Sequence, residues 1–338
     1  MKPAHRLCAC ARPIVLFSLA FLSSTAGAQS CQTSGELDDA ARTSISTAGQ
    51  RVFDLAAKGD VATMRQNAIP ILATDFGKIE TSVKDHQPDL AGAQAIVKSS
   101  FLLDASGAAP DPHAEFLCGV FGKNGQTSGS AAFYFDNLPP GKYAVVLLDA
   151  SSAKGKTMFS EILQQSGADW KLAGLYVKSA EIAGHDSSWF LDRAREYKAK
   201  GQLHDAWFYF VEAIDLVSRG MSFMSTLATD NLYDESQSLR PSDLPGGGKP
   251  VDLPAGTATH KLTAVFPEAV HDDLDLVVTY QIADASNTTQ AFQDNTAVVK
   301  ALVAKYPEVR QAFAGVVARA VDSGGRDFVT LIAMKDIK

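Results

Sequence analysis

Apolar residues recur at helical spacing early in the chain: Ile45, Val52, Phe53 and Leu55 share one stripe, and Val61, Met64 and Ala68 a second. Between them stands Lys58-Gly59-Asp60, a glycine suited to ending one helix and an aspartate suited to starting the next. The spacing predicts a helix pair within residues 37–79, with Pro70 ending or kinking the second segment. From Phe101 the period shortens towards two. Residues 116–121, 131–135, 143–148, 157–163 and 170–177 read as strands. Asn124-Gly125, Pro139-Pro140-Gly141, Lys154-Gly155 and Ser166-Gly167 punctuate them as turns, giving an antiparallel meander.

A second helical region follows. Phe190, Ala194, Tyr197, Gly201, Ala206, Phe210 and Ala213 alternate bulky and small residues about a Lys200-Gly201-Gln202 turn, the pattern of two close-packed antiparallel helices. Trp207, Phe208, Tyr209 and Phe210 are consecutive, so they point all round the second helix, which must be sandwiched between neighbours. Met221, Met224, Leu227 and Ala228 predict a third helix over residues 221–232. Residues 234–256 carry four prolines and four glycines with little apolar periodicity and read as a linker. Beyond it, Leu274, Leu276, Val278, Tyr280 and Ile282 alternate with Asp275, Val277, Thr279 and Gln281, a half-buried strand. Residues 260–266 should pair with it. A helix through Phe292, Val299, Leu302 and Val303 and a hairpin of residues 316–321 with 328–334 complete a ββαββ layer.

Two family resemblances attach to these segments. The helix pair joined at Ala57-Lys58-Gly59-Asp60, followed by strands ending in Gly167-Ala168-Asp169-Trp170-Lys171-Leu172-Ala173-Gly174-Leu175-Tyr176, resembles the cone-shaped α+β roll of nuclear transport factor two and ketosteroid isomerase. That resemblance, over residues 37–180, implies a curved sheet around a helix with an apolar pocket at the open end. Some members use an acid or a His/Asp pair there, but no such pair maps onto this chain. Asp111 and His113 read as solvated residues of a Pro-rich loop. Residues 187–220 look like one tetratricopeptide unit. That resemblance implies a partner peptide along the first helix, at Ser188, Leu191, Arg195, Lys198 and Ala199, where Arg195 and Lys198 would hold a carboxylate. The alternative is that both cations are solvated or pair with Asp192 and Glu196. No second copy of the unit occurs, so other parts of the chain must cap it.

The fold class expected is therefore α+β in three parts: an N-terminal roll (29–180), a helical hairpin with a third helix (181–233), and a C-terminal layer (257–338) beyond the linker (234–256). The 338 residues suit two or three cores. Residues 1–28 read as a cleaved export signal: Lys2, Arg6 and Arg12 form a basic start, residues 14–22 a short apolar run, and Ala26-Gly27-Ala28 a cleavage site. A lipid anchor at Cys31 is the alternative, although Ala28-Gln29-Ser30 lacks the leucine usual three places before the cysteine. Losing three basic residues from 31 leaves 28 against 38 acidic ones, a net charge of −10, with no Lys/Arg run for nucleic acid to bind. Only Cys31 and Cys118 survive cleavage, and a disulfide between them is expected in an oxidising compartment.

Catalytic motifs are not read. Gly184-His185-Asp186-Ser187-Ser188 gathers three triad residue types, but neighbours in sequence point apart, and Asp186 is better placed as a helix N-cap. Gly246-Gly247-Gly248-Lys249 lacks the strand and the Ser/Thr of a phosphate loop. His271-Asp272-Asp273 lacks metal-ligand spacing. No catalytic residue, cofactor or metal ligand is assigned. The leading expectation is an exported, non-enzymatic interaction or assembly module with a protein or peptide partner, periplasmic or extracellular. The competing one is a small-ligand-binding protein or enzyme using an apolar pocket in the N-terminal roll.

Overall fold

The computed structural model describes residues 29–107, 109–123, 125–270 and 273–338. The expected export signal, Asn124 and the His271-Asp272 pair lie outside the described residues. A short strand β1 (Ser30–Thr33) leads into α1 (Asp39–Ala57), which starts where the Asp38 carboxylate accepts the Ala41 N–H at 2.7 Å. Gly59 turns the chain at φ +69°, and Asp60 caps α2 (Val61–Gln66) by accepting from Thr63. Pro70 does not kink a helix. It opens a new one, α3 (Pro70–Thr74), where its missing N–H costs nothing. Then comes α4 (Gly77–Leu90).

The strands that follow are β2 (Gln94–Asp104), β3 (Asp111–Cys118), the two-residue pair β4 (Phe121–Gly122) and β5 (Gly125–Gln126), β6 (Ala131–Leu138), β7 (Lys142–Ser152), β8 (Gly155–Ser166) and β9 (Asp169–Ser179). Apart from the separate β4–β5 pair, they build two sheets. The larger is antiparallel in the order β1-β2-β7-β8-β9. Helices α1 and α4 cover one of its faces, where Ile45, Phe53 and Val83 pack on Val146, Leu148 and Phe159. The other face carries Phe101, Leu103, Val145 and Leu147 and is covered by β3 and β6 through Phe116 and Phe133. Each such side chain, fully buried, contributes roughly 1.5–3 kcal/mol. Asp111 and His113, expected in a loop, belong to β3: the sheet's pairing of Asp111 with Leu138 and His113 with Asp136 extends the strand past Pro112. Pro112 is tolerated there because β3 is an edge strand. Cys31 of the large sheet and Cys118 of the small one are joined by a disulfide, with Cα atoms 4.9 Å apart and a sequence separation of 87.

The predicted helical hairpin is α5 (Ser187–Ala199) and α6 (Leu203–Ser218), reversed at Gly201 with φ +76°. Ala194 and Ala206 are fully buried and let the two rods approach. Of the four consecutive aromatics on this helix, Phe208, Tyr209 and Phe210 are buried and Trp207 is half-buried. Tyr209 meets Phe190 and Tyr197 of α5 on one side and donates to the Ala312 carbonyl at 2.7 Å on the other. Phe208 meets Phe313 edge-on.

The third helix is shifted from the expected 221–232. Arg219 and Gly220 end α6 in left-handed conformation, and Met224–Thr226 forms strand β10, which adds to β6 in the small sheet. Helix α7 (Leu227–Gln237) starts only at the Thr226–Thr229 capping box. Residues 234–256, read as a linker, are also more ordered than their composition suggests. Their first residues finish α7, Leu239 and Leu244 are buried, and Val251–Ala255 forms β11. Val251, Leu253 and Ala255 do alternate, and β11 holds because β12 pairs with it.

The C-terminal sheet contains β11, β12 (Ala258–Val270), β13 (Asp273–Gln281), β14 (Gly315–Val321) and β15 (Asp327–Ala333), in that order. Helix α8 (Thr288–Lys305) carries the chain from β13 to its parallel neighbour β14. Leu276, Val278, Val316 and Ala318 share one continuous core with α6 and α8. The molecule is thus a mixed α+β fold, and among the described residues no helix is long and apolar enough to cross a membrane. The disulfide staples the two N-terminal sheets at one end. Replacing Cys31 and Cys118 by serine should lower unfolding free energy by about 2–5 kcal/mol in urea titrations, and reduction of the native chain should have the same effect.

Candidate functional site

Strand β2 carries one residue too many opposite β7: Val97 pairs with Leu148 and Ser99 with Leu147, leaving Lys98 as a bulge. At this point the small sheet no longer covers the large one. The gap is roofed instead by the turn at residues 127–130 and by the end of α6 and start of α7, and an open cleft of about 720 Å³ remains. Its walls are apolar over Phe101, Leu147, Met158, Leu216, Met224 and Leu227. Lys98, Asp149 and Arg219 supply charge at its floor.

Arg219 is the anchor of this floor. It holds φ +57°, a left-handed conformation that costs a non-glycine residue about 1 kcal/mol. The geometry aims its side chain back across the sheet, where it is 8 % exposed. Nε donates to Ser160 Oγ at 3.0 Å, Nη1 to Asp149 Oδ1 at 2.6 Å, and Nη2 to the Leu148 carbonyl beside the bulge. Lys98 Nζ stands 3.2 Å from the second oxygen of Asp149. Burial pushes the Asp149 carboxyl up, but the hydrogen bonds and charges of Arg219 and Lys98 outweigh it and hold the group below its ordinary range. Two cations share one anion, so the floor keeps one net positive charge in an acidic chain. Ser160 is fully buried and engaged by Arg219 rather than by a base, so it is not an activated nucleophile. The arrangement is suited to holding an anionic group.

Of the residues singled out from sequence, Asp186 and Ser187 line the cleft, while Leu191, Arg195 and Lys198 lie elsewhere. Leu191 packs against the core shared by α5 and α6. Arg195 forms a two-pronged pair with Glu235 of α7, at 3.1 and 2.8 Å, so its carboxylate partner comes from within the chain. Lys198 is exposed on the same helix, and its charge helps to lower the ionisation of Glu235 after the Arg195 hydrogen bond. Neither Asp192 nor Glu196 pairs with Arg195; Glu196 takes Arg193 instead. Asp186 caps α5 by accepting from the Trp189 N–H at 3.0 Å, while His185 stacks on Trp189. The structure brings none of Leu191, Arg195 or Lys198 into the cleft. Sequence reasoning missed Lys98, Asp149 and Arg219. Their only signals are an aspartate closing the apolar run of β7 and an Arg-Gly pair closing that of α6.

A second polar cluster lies where α6 meets the C-terminal layer. His204 sits between Glu308 at 2.7 Å and Asp243 at 3.0 Å, with its ring against Tyr306. Beside it Asp205 is completely buried with both carboxylate oxygens unpaired. Burial first, and the Glu308 charge second, push Asp205 up to about 7, against an opposing effect of His204. Two turns on, burial raises Glu212 to about 7 as well, with Lys178 opposing and Glu268 adding. Both acids hold a proton more tightly folded than unfolded. Their contribution to stability is therefore complete below the ordinary carboxyl range and is lost as pH rises towards about 7. Urea midpoints should fall between pH 5 and pH 7, each group adding a slope of up to about 1.4 kcal/mol per pH unit. Asp205→Asn should flatten that slope.

No protein-family model, curated protein or solved structure matches this chain.

Proposed function

We propose that the chain is an exported, non-enzymatic binding protein whose cleft takes a small amphiphile, an apolar body ending in one anionic group. The anion would lie against Lys98 and Arg219, and the body along Phe101, Leu147, Met158 and Leu227. The observation that carries the reading is the immobilised Arg219 in the cleft floor. A cation with its conformation already paid for by three tethers loses little freedom when an anion arrives, so the site is pre-organised. The volume of about 720 Å³ falls in the usual range for small-molecule sites. Export is supported by the basic and apolar start of the sequence and by the disulfide. This reading keeps the exported, non-enzymatic part of the sequence expectation and moves the binding surface from the Arg195 face, which Glu235 occupies, to the cleft.

Anilinonaphthalene sulfonate, an apolar ring system with one sulfonate, is a suitable probe. The mature chain should bind it at one saturable site with enhanced fluorescence. Lys98→Glu reverses an exposed charge at the floor, and Ala228→Trp fills the mouth from the exposed side of α7. Each should weaken binding about tenfold, or about 1.4 kcal/mol, with an unchanged circular dichroism spectrum. Wild-type affinity in both variants would place the probe elsewhere and remove the support for this cleft.

A further inference from the structure

Ser160 and Glu161 are consecutive in β8, so their side chains leave the large sheet on opposite faces. Ser160 faces Arg219, whereas Glu161 enters the layer between the sheet and α1. It is fully buried, and neither of its carboxylate oxygens has a hydrogen-bond partner. Directly above it α1 carries Gly49. A methyl group built there would come within 2.3 Å of Glu161 Oε1 and 2.9 Å of Val146 Cγ1. A glycine inside a helix costs roughly 1 kcal/mol relative to alanine. Here it makes the notch that admits a carboxyl group into an otherwise apolar layer.

Among the described residues, no charge compensates Glu161 within that layer. Around Gly49, α1 presents Ile45 and Phe53, while its Arg51 and Asp54 are exposed on the outer side. On either side in the sheet stand Val146 of β7 and Leu175 of β9. From α4 come Ile79 and Val83, with Lys84 and Asp85 exposed. Arg219 is on the far face of the sheet. An isolated carboxylate at such a place is costly, whereas the neutral acid is a tolerable guest.

We infer that Glu161 is a proton-operated latch: as the neutral acid it seats beneath Gly49 and lets α1 close on the sheet, and on ionisation it forces that helix layer open. Burial alone pushes the group well above the ordinary carboxyl range. The folded state therefore keeps the proton where the unfolded chain has lost it. The stabilisation is complete in acid and is lost as pH rises through the folded-state value. The latch makes the docking of α1 pH-dependent, independently of any ligand in the cleft.

The test compares wild type, Glu161→Gln and Glu161→Met in the full mature chain, by urea midpoint and by amide hydrogen exchange along α1 over an acid-to-alkaline series. Exchange is normalised to the rates of the unfolded chain. The wild type should lose stability with rising pH more steeply than either variant, and its α1 amides should exchange progressively faster, while those of the variants stay level. Parallel stability curves and equal α1 protection would overturn the latch. Should neither variant fold, infrared spectroscopy of a chain that keeps Glu161 decides. In an Asp205→Asn/Glu212→Gln background, a protonated, non-hydrogen-bonded carboxyl band should persist at pH values where exposed carboxyls are ionised, because burial pushes Glu161 up. Its absence overturns the proposal.

Discussion

Strand β7 is apolar on both faces, and a strand of that kind has to be covered twice. Ala144, Val146 and Leu148 turn to the helices, while Tyr143, Val145 and Leu147 turn to the second sheet, and all are buried. The helices span their side of the sheet. The opposing sheet has three strands against five and leaves part of the face uncovered. What completes the second cover is borrowed from farther along the chain: the end of α6 and the start of α7. The cleft lies where these two partial roofs meet, and Arg219 ties them to the floor.

Helix α6 answers a similar demand. Its buried positions Ala206, Phe208, Tyr209, Phe210, Ala213 and Leu216 occupy most of its circumference, so it cannot lie on a surface. It packs between α5 and the C-terminal sheet, and the resulting core runs without a break from Phe190 to Val316. The same burial carries Asp205 and Glu212 out of water, because side chains on a fully enclosed helix have nowhere else to go. Their raised ionisation follows from the helix's place in the fold rather than from any local pattern.

Two acids three residues apart in register show how far surroundings decide character. Asp149 of β7 and Glu161 of β8 lie on neighbouring strands but on opposite faces. Asp149 meets two cations and stays ionised below its ordinary range, while Glu161 meets only Gly49 and aliphatic side chains and keeps its proton. The sheet thus separates a charged, cleft-facing side from a neutral, helix-facing one.

From the sequence alone follow the helices α1, α5, α6 and α8, the strands β6 to β9, the hairpin β14–β15 and the Cys31–Cys118 pair; the expected meander holds only for β7, β8 and β9, because β6 pairs with β3 and β10 in the other sheet. Each rests on spacing within a short window, on turn residues, or on a count of two cysteines. Tertiary structure decided the rest. Strand β10 replaced the start of a predicted helix because β6 offered it a free edge, and β11 emerged from a glycine- and proline-rich stretch because β12 did the same. The cleft was illegible because Lys98, Asp149 and Arg219 are brought together from segments 51 and 70 residues apart, by a bulge and a left-handed residue that no periodicity announces. Local patterns set where a chain is helical or extended. Which polar groups share a site depends on how incomplete layers close over one another, and that is a property of the packed whole.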